Sequence, residues 1–117
     1  MIKRFHVGKR LSEMSVYNGV AYLAGQVPED ATQDMYGQTK QVLAAIDRLL
    51  AEAGSDKHHI LMAQLFVADM SEFAELNRAW DEWVSEQAPP RATVEAKLAN
   101  AEWKVEIVIT AACCQKN

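Results

Sequence analysis

Apolar and polar positions change rhythm several times along this chain, and each change marks an element. Ser15-Val16-Tyr17 and Val20-Ala21-Tyr22-Leu23-Ala24 are β-prone runs on either side of Asn18-Gly19. Asn-Gly suits a two-residue hairpin whose central residues both take positive φ, so the spacing predicts two antiparallel strands. Gly25-Gln26-Val27-Pro28 ends the second strand. Glycine lets another group approach the backbone closely, which leaves two readings open here, a plain strand terminus and the edge of a site.

From about Asp34 to Ala53 the period lengthens. Thr39, Val42, Leu43, Ile46, Leu49, Leu50 and Ala53 recur at helical spacing, and Gly54 supplies a stop, which predicts a long amphipathic helix. Ile60 to Ala68 is a nearly continuous apolar run of strand length, as a central, doubly covered strand requires. Asp69 and Glu72 have the spacing of a capping box, after which Phe73, Leu76, Trp80, Trp83 and Val84 trace one face of a second helix ending before Pro89. Ala92, Val94, Ala96 and Leu98 then alternate with Thr93, Glu95 and Lys97, and Val105, Ile107, Ile109 and Ala111 alternate with Glu106, Val108 and Thr110. The order is ββαβαββ, an α+β domain spanning 1–117 with two helices packed on one face of a mixed sheet.

Composition narrows the function classes. Half of the 117 residues are hydrophobic and 24% are charged, which describes an ordinary globular domain. A chain this short has little room for a large enclosed cavity, so a site shared between subunits enters the picture. No apolar run reaches membrane-spanning length and the start, Met1-Ile2-Lys3-Arg4-Phe5-His6, lacks the apolar stretch of a secretory signal. A cytoplasmic protein with no membrane partner is expected. The net charge of -4 disfavours a polyanion, so no nucleic-acid partner is expected, whereas a small anion needs only one or two arginines.

The usual signatures of metal and nucleotide chemistry are missing. His58 and His59 are consecutive and diverge from one another, and with His6 they complete the histidines. Cys113 and Cys114 are adjacent, which fits neither a staple nor a metal spacing, and they read as small apolar residues ending a strand. No His-Glu-x-x-His, phosphate loop or nucleophile elbow occurs, and no metal or organic cofactor is expected.

Three residues stand out. Arg91 follows Pro89-Pro90, which forbids a helix there and places the guanidinium at the mouth of a strand. It is either a surface arginine on an edge or a clamp that takes a carboxylate through two parallel hydrogen bonds, with the Thr93 hydroxyl on the same face. Glu106 interrupts an apolar strand, and there it either faces solvent on the polar side, pairs with Lys97 or Lys104, or has a task. Asn77 is an amide beside the apolar stripe of the second helix, in a position to tie two backbone segments together.

Gly25-Gln26-Val27-Pro28, Gln38-Thr39, Leu49 to Gly54, Asp69 to Asn77, Pro90-Arg91-Ala92-Thr93-Val94-Glu95 and Lys104-Val105-Glu106-Ile107 together resemble the Rid family, also called the YjgF, YER057c and UK114 family. The resemblance runs from about Val16 to Ala112. It implies a homotrimer around a central barrel, with ligand clefts between subunits. Members bearing the cleft arginine, which Arg91 matches, hydrolyse reactive 2-imino or 2-enamino acids to 2-keto acids and ammonia, a metabolite-damage-control activity. On this resemblance Arg91 clamps the substrate carboxylate and Glu106 orients or deprotonates the attacking water. Thr93, Gly25, Gln26, Leu11 and Asn77 line the cleft.

The chain departs from that pattern at Gly8 to Glu13, where relatives carry a Gly-Pro-Tyr-type segment and Leu11 falls near the aromatic position. Arg10 and Ser12 are the nearby polar candidates to compensate. Ala24 replaces a hydroxyl residue, and Thr93 stands where cysteine or serine is common. Three alternatives remain beside the deaminase: a trimer that holds keto acids without turnover, a stress or holdase protein, and a ribonuclease or translation inhibitor.

Overall fold

Asn18 and Gly19 both take positive φ, 51° and 77°, and turn the chain tightly between two paired strands. The computed structural model describes residues 1–113, and Cys114 lies outside them. The strands are β1 (Lys3–Val7), β2 (Ser12–Tyr17), β3 (Val20–Leu23), β4 (Ile60–Val67), β5 (Arg91–Glu95) and β6 (Val105–Ala112), and the helices are α1 (Met35–Glu52) and α2 (Phe73–Trp83). They form one six-stranded sheet in the order β1-β2-β3-β6-β4-β5. Every pairing is antiparallel except β4 with β5, which α2 joins as a crossover helix must join parallel neighbours.

The predicted α+β architecture is present, with one strand more than the pattern gave. β1 has only Phe5 turned toward the core, while Lys3, Arg4, His6 and Val7 are exposed, so it offered too little apolar contrast to read as a strand. β5 is shorter than the alternation from Ala92 to Leu98 suggested: the backbone N–H of Ala96 donates to Val67 and the chain then leaves the sheet. Its apolar members do not face the core. Ala92 and Val94 pair with Gln64 and Phe66 on the outer face, and Arg91 and Thr93 take the helix-facing side beside Ala63 and Leu65.

Local chemistry sets the helix ends. Asp34 accepts a hydrogen bond from the Gly37 N–H at 2.9 Å to start α1. At the far end Gly54, at φ 73°, donates to Ala51 while Ser55 donates to Leu50, the pair of bonds by which a glycine closes a helix. The Asp69–Glu72 capping box is not formed: Asp69 accepts from the Ser71 N–H and closes a 3-10 turn over Met70–Glu72, and Glu72 makes no side-chain cap to α2. The extra turn arises because Asp69 lies one short turn ahead of α2 rather than at its threshold.

Both helices cover one face of the sheet. Val42, Leu43, Ile46 and Leu50 of α1 and Leu76 and Trp80 of α2 meet Leu23, Leu65, Val67, Val105, Ile107 and Ile109 in one core. Gln38 crosses this layer with its amide fully buried. It donates to the carbonyls of Ala31, Gln33 and Glu102 and accepts from the Lys104 N–H, which ties α1 to the loops on both sides. The opposite sheet face carries no covering layer among the described residues. Tyr22, Thr110, Val108, Phe66 and Val94 share that face by register, and Tyr22 and Val94 are half exposed. No helix among the described residues is long and apolar enough to cross a membrane.

Candidate functional site

Arg91 opens the edge strand β5 and extends beneath α2. Its Nη2 donates to Asn77 Oδ1 at 2.9 Å, and its Cζ lies 5.1 Å from the Trp80 ring centroid and 5.6 Å from that of Phe73. α2 delivers all three of these partners. Phe73, Asn77 and Trp80 fall at i, i+4 and i+7 of one helix, hence on one side of it. Burial draws the guanidinium below its ordinary pKa, and the charge of Asp81 opposes that shift. The group stays cationic, and among the described residues no carboxylate comes within ion-pairing distance of it.

Thr93 sits two residues along on the same face, as its alternation predicts. Its Oγ1 is shielded from solvent and has no hydrogen-bond partner among the described residues. A buried hydroxyl without a partner costs stability, so Thr93 Oγ1 is a group that would gain from a hydrogen bond.

Glu106 occupies a second locus. It pairs in register with Phe66 and so projects from the outer sheet face, while Arg91 pairs with Ala63 and projects from the helix face, with β4 lying between them. The Glu106 carboxylate rests over Gly25, where an added Cβ would stand 2.8 Å from Glu106 Cδ. Gly25 thus permits the close approach of the Glu106 side chain. Among the described residues Glu106 pairs with neither Lys97 nor Lys104, and Lys104 is directed to Glu72 at 3.8 Å.

Gln26 is beside Gly25 but turns away from Glu106. It exchanges backbone hydrogen bonds with Ile107, and its Nε2 donates to Glu13 Oε1 and to the Ala24 carbonyl, 3.0 Å in each case. Leu11 lies apart, exposed in the turn between β1 and β2, where its carbonyl accepts from Gly8 N–H. One chain therefore brings Arg91, Asn77 and Thr93 together, and separately Gly25 and Glu106.

Trp80 and Phe73 belong to the apolar stripe of α2 in the sequence pattern, and their spacing from Asn77 is the signal that also places them beside Arg91. His58 and His59 stand exposed in a 3-10 turn where His59 bonds Asp56. No group of three or more His, Cys, Asp or Glu side chains suited to a metal ion is assembled among the described residues.

Comparison with known proteins gives matches in both sequence and fold. The family model described as endoribonuclease L-PSP matches residues 1–113. A RutC family protein of Haemophilus ducreyi is 58% identical over 113 residues, covering 96% of this chain and 97% of that relative. RutC family protein YoaB of Escherichia coli is 45% identical over 112 residues, covering 95% and 97%. The crystal structure of NMB1025 from Neisseria meningitidis, a member of the YjgF protein family, superposes with a TM-score of 0.95 at 47% identity, over 99% of this chain and 98% of that one. With the whole described chain matched in sequence and in fold, the protein belongs to the YjgF family, whose members are also named Rid and RutC.

Proposed function

We propose that the protein hydrolyses small 2-imino or 2-enamino acids to 2-keto acids and ammonia, in clefts between the subunits of a homotrimer. The carrying observation is the state of Arg91: a partly desolvated guanidinium, oriented by a neutral amide and two aromatic rings, with its charge unspent on any carboxylate of its own chain among the described residues. Such a group suits the carboxylate of a 2-imino acid through two parallel hydrogen bonds.

The sheet supports subunit sharing. Arg91 and Glu106 project from opposite faces across β4, so a site that uses both draws Glu106 from a neighbouring copy. The uncovered outer face with Tyr22, Phe66, Val94 and Val108 supplies apolar area for that copy to cover.

The chemistry asks little of the protein. The iminium carbon is already electrophilic, and water adds to it while Glu106 takes the water's proton. The resulting carbinolamine receives that proton on nitrogen. The C–N bond then breaks as the hydroxyl becomes a carbonyl, and ammonium leaves, so one iminium and one water give one keto acid and one ammonium ion. Arg91 fixes the carboxylate throughout, and the unpaired Thr93 hydroxyl completes the wall beside it. No metal or organic cofactor enters the scheme.

The test is a coupled assay. An amino-acid oxidase or a serine/threonine dehydratase generates the imine, and added protein accelerates keto-acid release from several amino acids. Arg91→Ala abolishes that acceleration. Failure of the wild-type protein to accelerate any of them rejects the proposal.

A second reading is favoured by one observation. The groups that touch Arg91 within its own chain, Asn77, Phe73 and Trp80, include no titratable base, which is the composition of a binding site. A trimer that holds keto acids without turnover would show protection by pyruvate against heat, lost in Arg91→Ala, and no acceleration in the coupled assay. The endoribonuclease description of the family model is opposed for this chain by its net charge of -4.

A further inference from the structure

Arg91 does not stand alone beneath α2; a relay of side chains running back to α1 holds the surface on which it lies. Asp47 of α1 accepts a hydrogen bond from Trp83 Nε1 at 2.9 Å, and the Trp83 ring packs against Trp80 with centroids 5.5 Å apart and planes inclined by 52°. Trp80, only 4% exposed, then presents its face to the Arg91 guanidinium, and the Phe73 ring centroid lies 5.6 Å from it as well. An arginine side chain has many rotamers, and freezing them at the moment of binding costs affinity. A guanidinium laid against a buried indole has already lost most of that freedom. The ring also attracts the cation through its quadrupole without cancelling its charge, as a carboxylate would.

We propose that Trp80 is a positioning residue for Arg91: with Phe73 and the Asp47-anchored Trp83 it forms an aromatic shelf that sets the guanidinium's orientation for a planar carboxylate while leaving its charge free. The shelf acts through Arg91 and touches no reacting atom. Its value for substrate rests on the reading of Arg91 as a carboxylate clamp. The shelf itself rests on the α2–β5 geometry alone.

The experiment has two readouts on the full-length protein. The first is the Arg91 Nε–H resonance in isotope-labelled protein, assigned by its disappearance in Arg91→Lys. It is displaced by the indole ring current in the wild type, moves toward the position of exposed arginines in Trp80→Leu, and stays displaced in Trp80→Phe. The second is pyruvate affinity by calorimetry. It falls by about threefold to thirtyfold in Trp80→Leu, the range that a partly desolvated cation–π contact spans, and recovers most of the way in Trp80→Phe. A purely structural tryptophan would lower the melting temperature and leave the affinity of the folded fraction unchanged. Should Trp80→Leu fail to fold, Phe73→Leu removes the other ring and is read in the same way.

An Arg91 resonance unmoved by loss of either ring overturns the proposal. So does a resonance that moves while pyruvate affinity stays at the wild-type value. A wild-type protein that binds pyruvate no better than Arg91→Ala overturns the clamp reading instead, and the shelf then stands or falls on the resonance.

Discussion

The carboxylate of Glu106 lies over the α-carbon of Gly25, so close that a methyl group at residue 25 would meet Glu106 Oε2, Cδ and Cγ. The contact joins two segments far apart in sequence, and only glycine permits it. The obstructing atoms belong to the far end of a flexible side chain, so Gly25→Ala displaces the carboxylate rather than the fold.

Gly25→Ala is therefore expected to fold with a stability change below about 1 kcal/mol and to lose imine hydrolysis by about tenfold or more. Pyruvate affinity, which the proposed clamp assigns to Arg91, stays within about twofold of wild type. Thermal melts, the coupled assay and calorimetry separate these quantities. Unchanged hydrolysis would remove Glu106 from the mechanism.

Much of this was legible in the chain because period and punctuation are local properties. Asn18-Gly19, Gly54 and the alternation of Val105 to Ala111 act on their own neighbours, and each element stands where it was expected. What escaped depends on distant partners. β1 is a strand because β2 accepts it, although its own residues are mostly exposed. Ala92 and Val94 read as a core face, yet β4 in register beside them fixes them on the outer side. For the site, the residue types at Arg91, Thr93, Asn77 and Glu106 were readable. Their division between two sheet faces was not, since that follows from the parallel β4–β5 register against the antiparallel β4–β6 register.

Replacing Arg91 by lysine tests bidentate geometry against charge alone. Lysine keeps the positive charge but loses the planar fork and the single bond to Asn77 Oδ1 in its present geometry. Arg91→Lys is expected to retain a small part of the activity, well above Arg91→Ala, with the loss in KM as well as in kcat. Steady-state kinetics of the three proteins side by side decide this, and lysine equal to arginine would rule out the fork.

Gln38 serves the fold, tying α1 to the loops on both sides of it. Gln38→Ala removes the side-chain acceptor of the Lys104 N–H and the donor to Ala31, Gln33 and Glu102 in a fully buried setting. At about 1 kcal/mol net for each of the four bonds, the expected cost is about 4 kcal/mol. Urea unfolding should show a lower midpoint with little change in slope. A cost under about 1 kcal/mol would mean that water replaces the amide.

Asp30 organises the turn that leads into α1. The Thr32 side-chain hydroxyl and backbone N–H donate to it, with Gln33 adding a longer bond, and these hydrogen bonds hold its pKa below the ordinary 3.8. A carboxylate depressed in the folded state stabilises at and above that ordinary value, and its contribution is lost as the pH falls through the lowered one. Asp30→Ala should therefore be less stable than wild type at neutral pH, with the gap closing in acid below 3.8. Paired urea titrations across that range read the difference directly, and a gap that is constant with pH contradicts the assignment.

The neutrality of Asn77 is the last feature open to a direct test. Asn77→Asp preserves shape, exchanges the amide NH2 for a second acceptor oxygen and adds a charge, converting the hydrogen bond from Arg91 Nη2 into an ion pair with a carboxylate that stands where no competing anion stood. The new pair should stabilise the fold slightly or leave it unchanged, because Arg91 is only partly buried. It should also repel an incoming substrate carboxylate and use up donors that the substrate needs. Pyruvate affinity is expected to fall by about tenfold or more while the melting temperature holds. Lowering the pH to protonate the new aspartate restores part of the affinity in the variant and not in the wild type. An Asn77→Asp protein that binds pyruvate as tightly as wild type would place the carboxylate-binding donors of Arg91 elsewhere than beside α2.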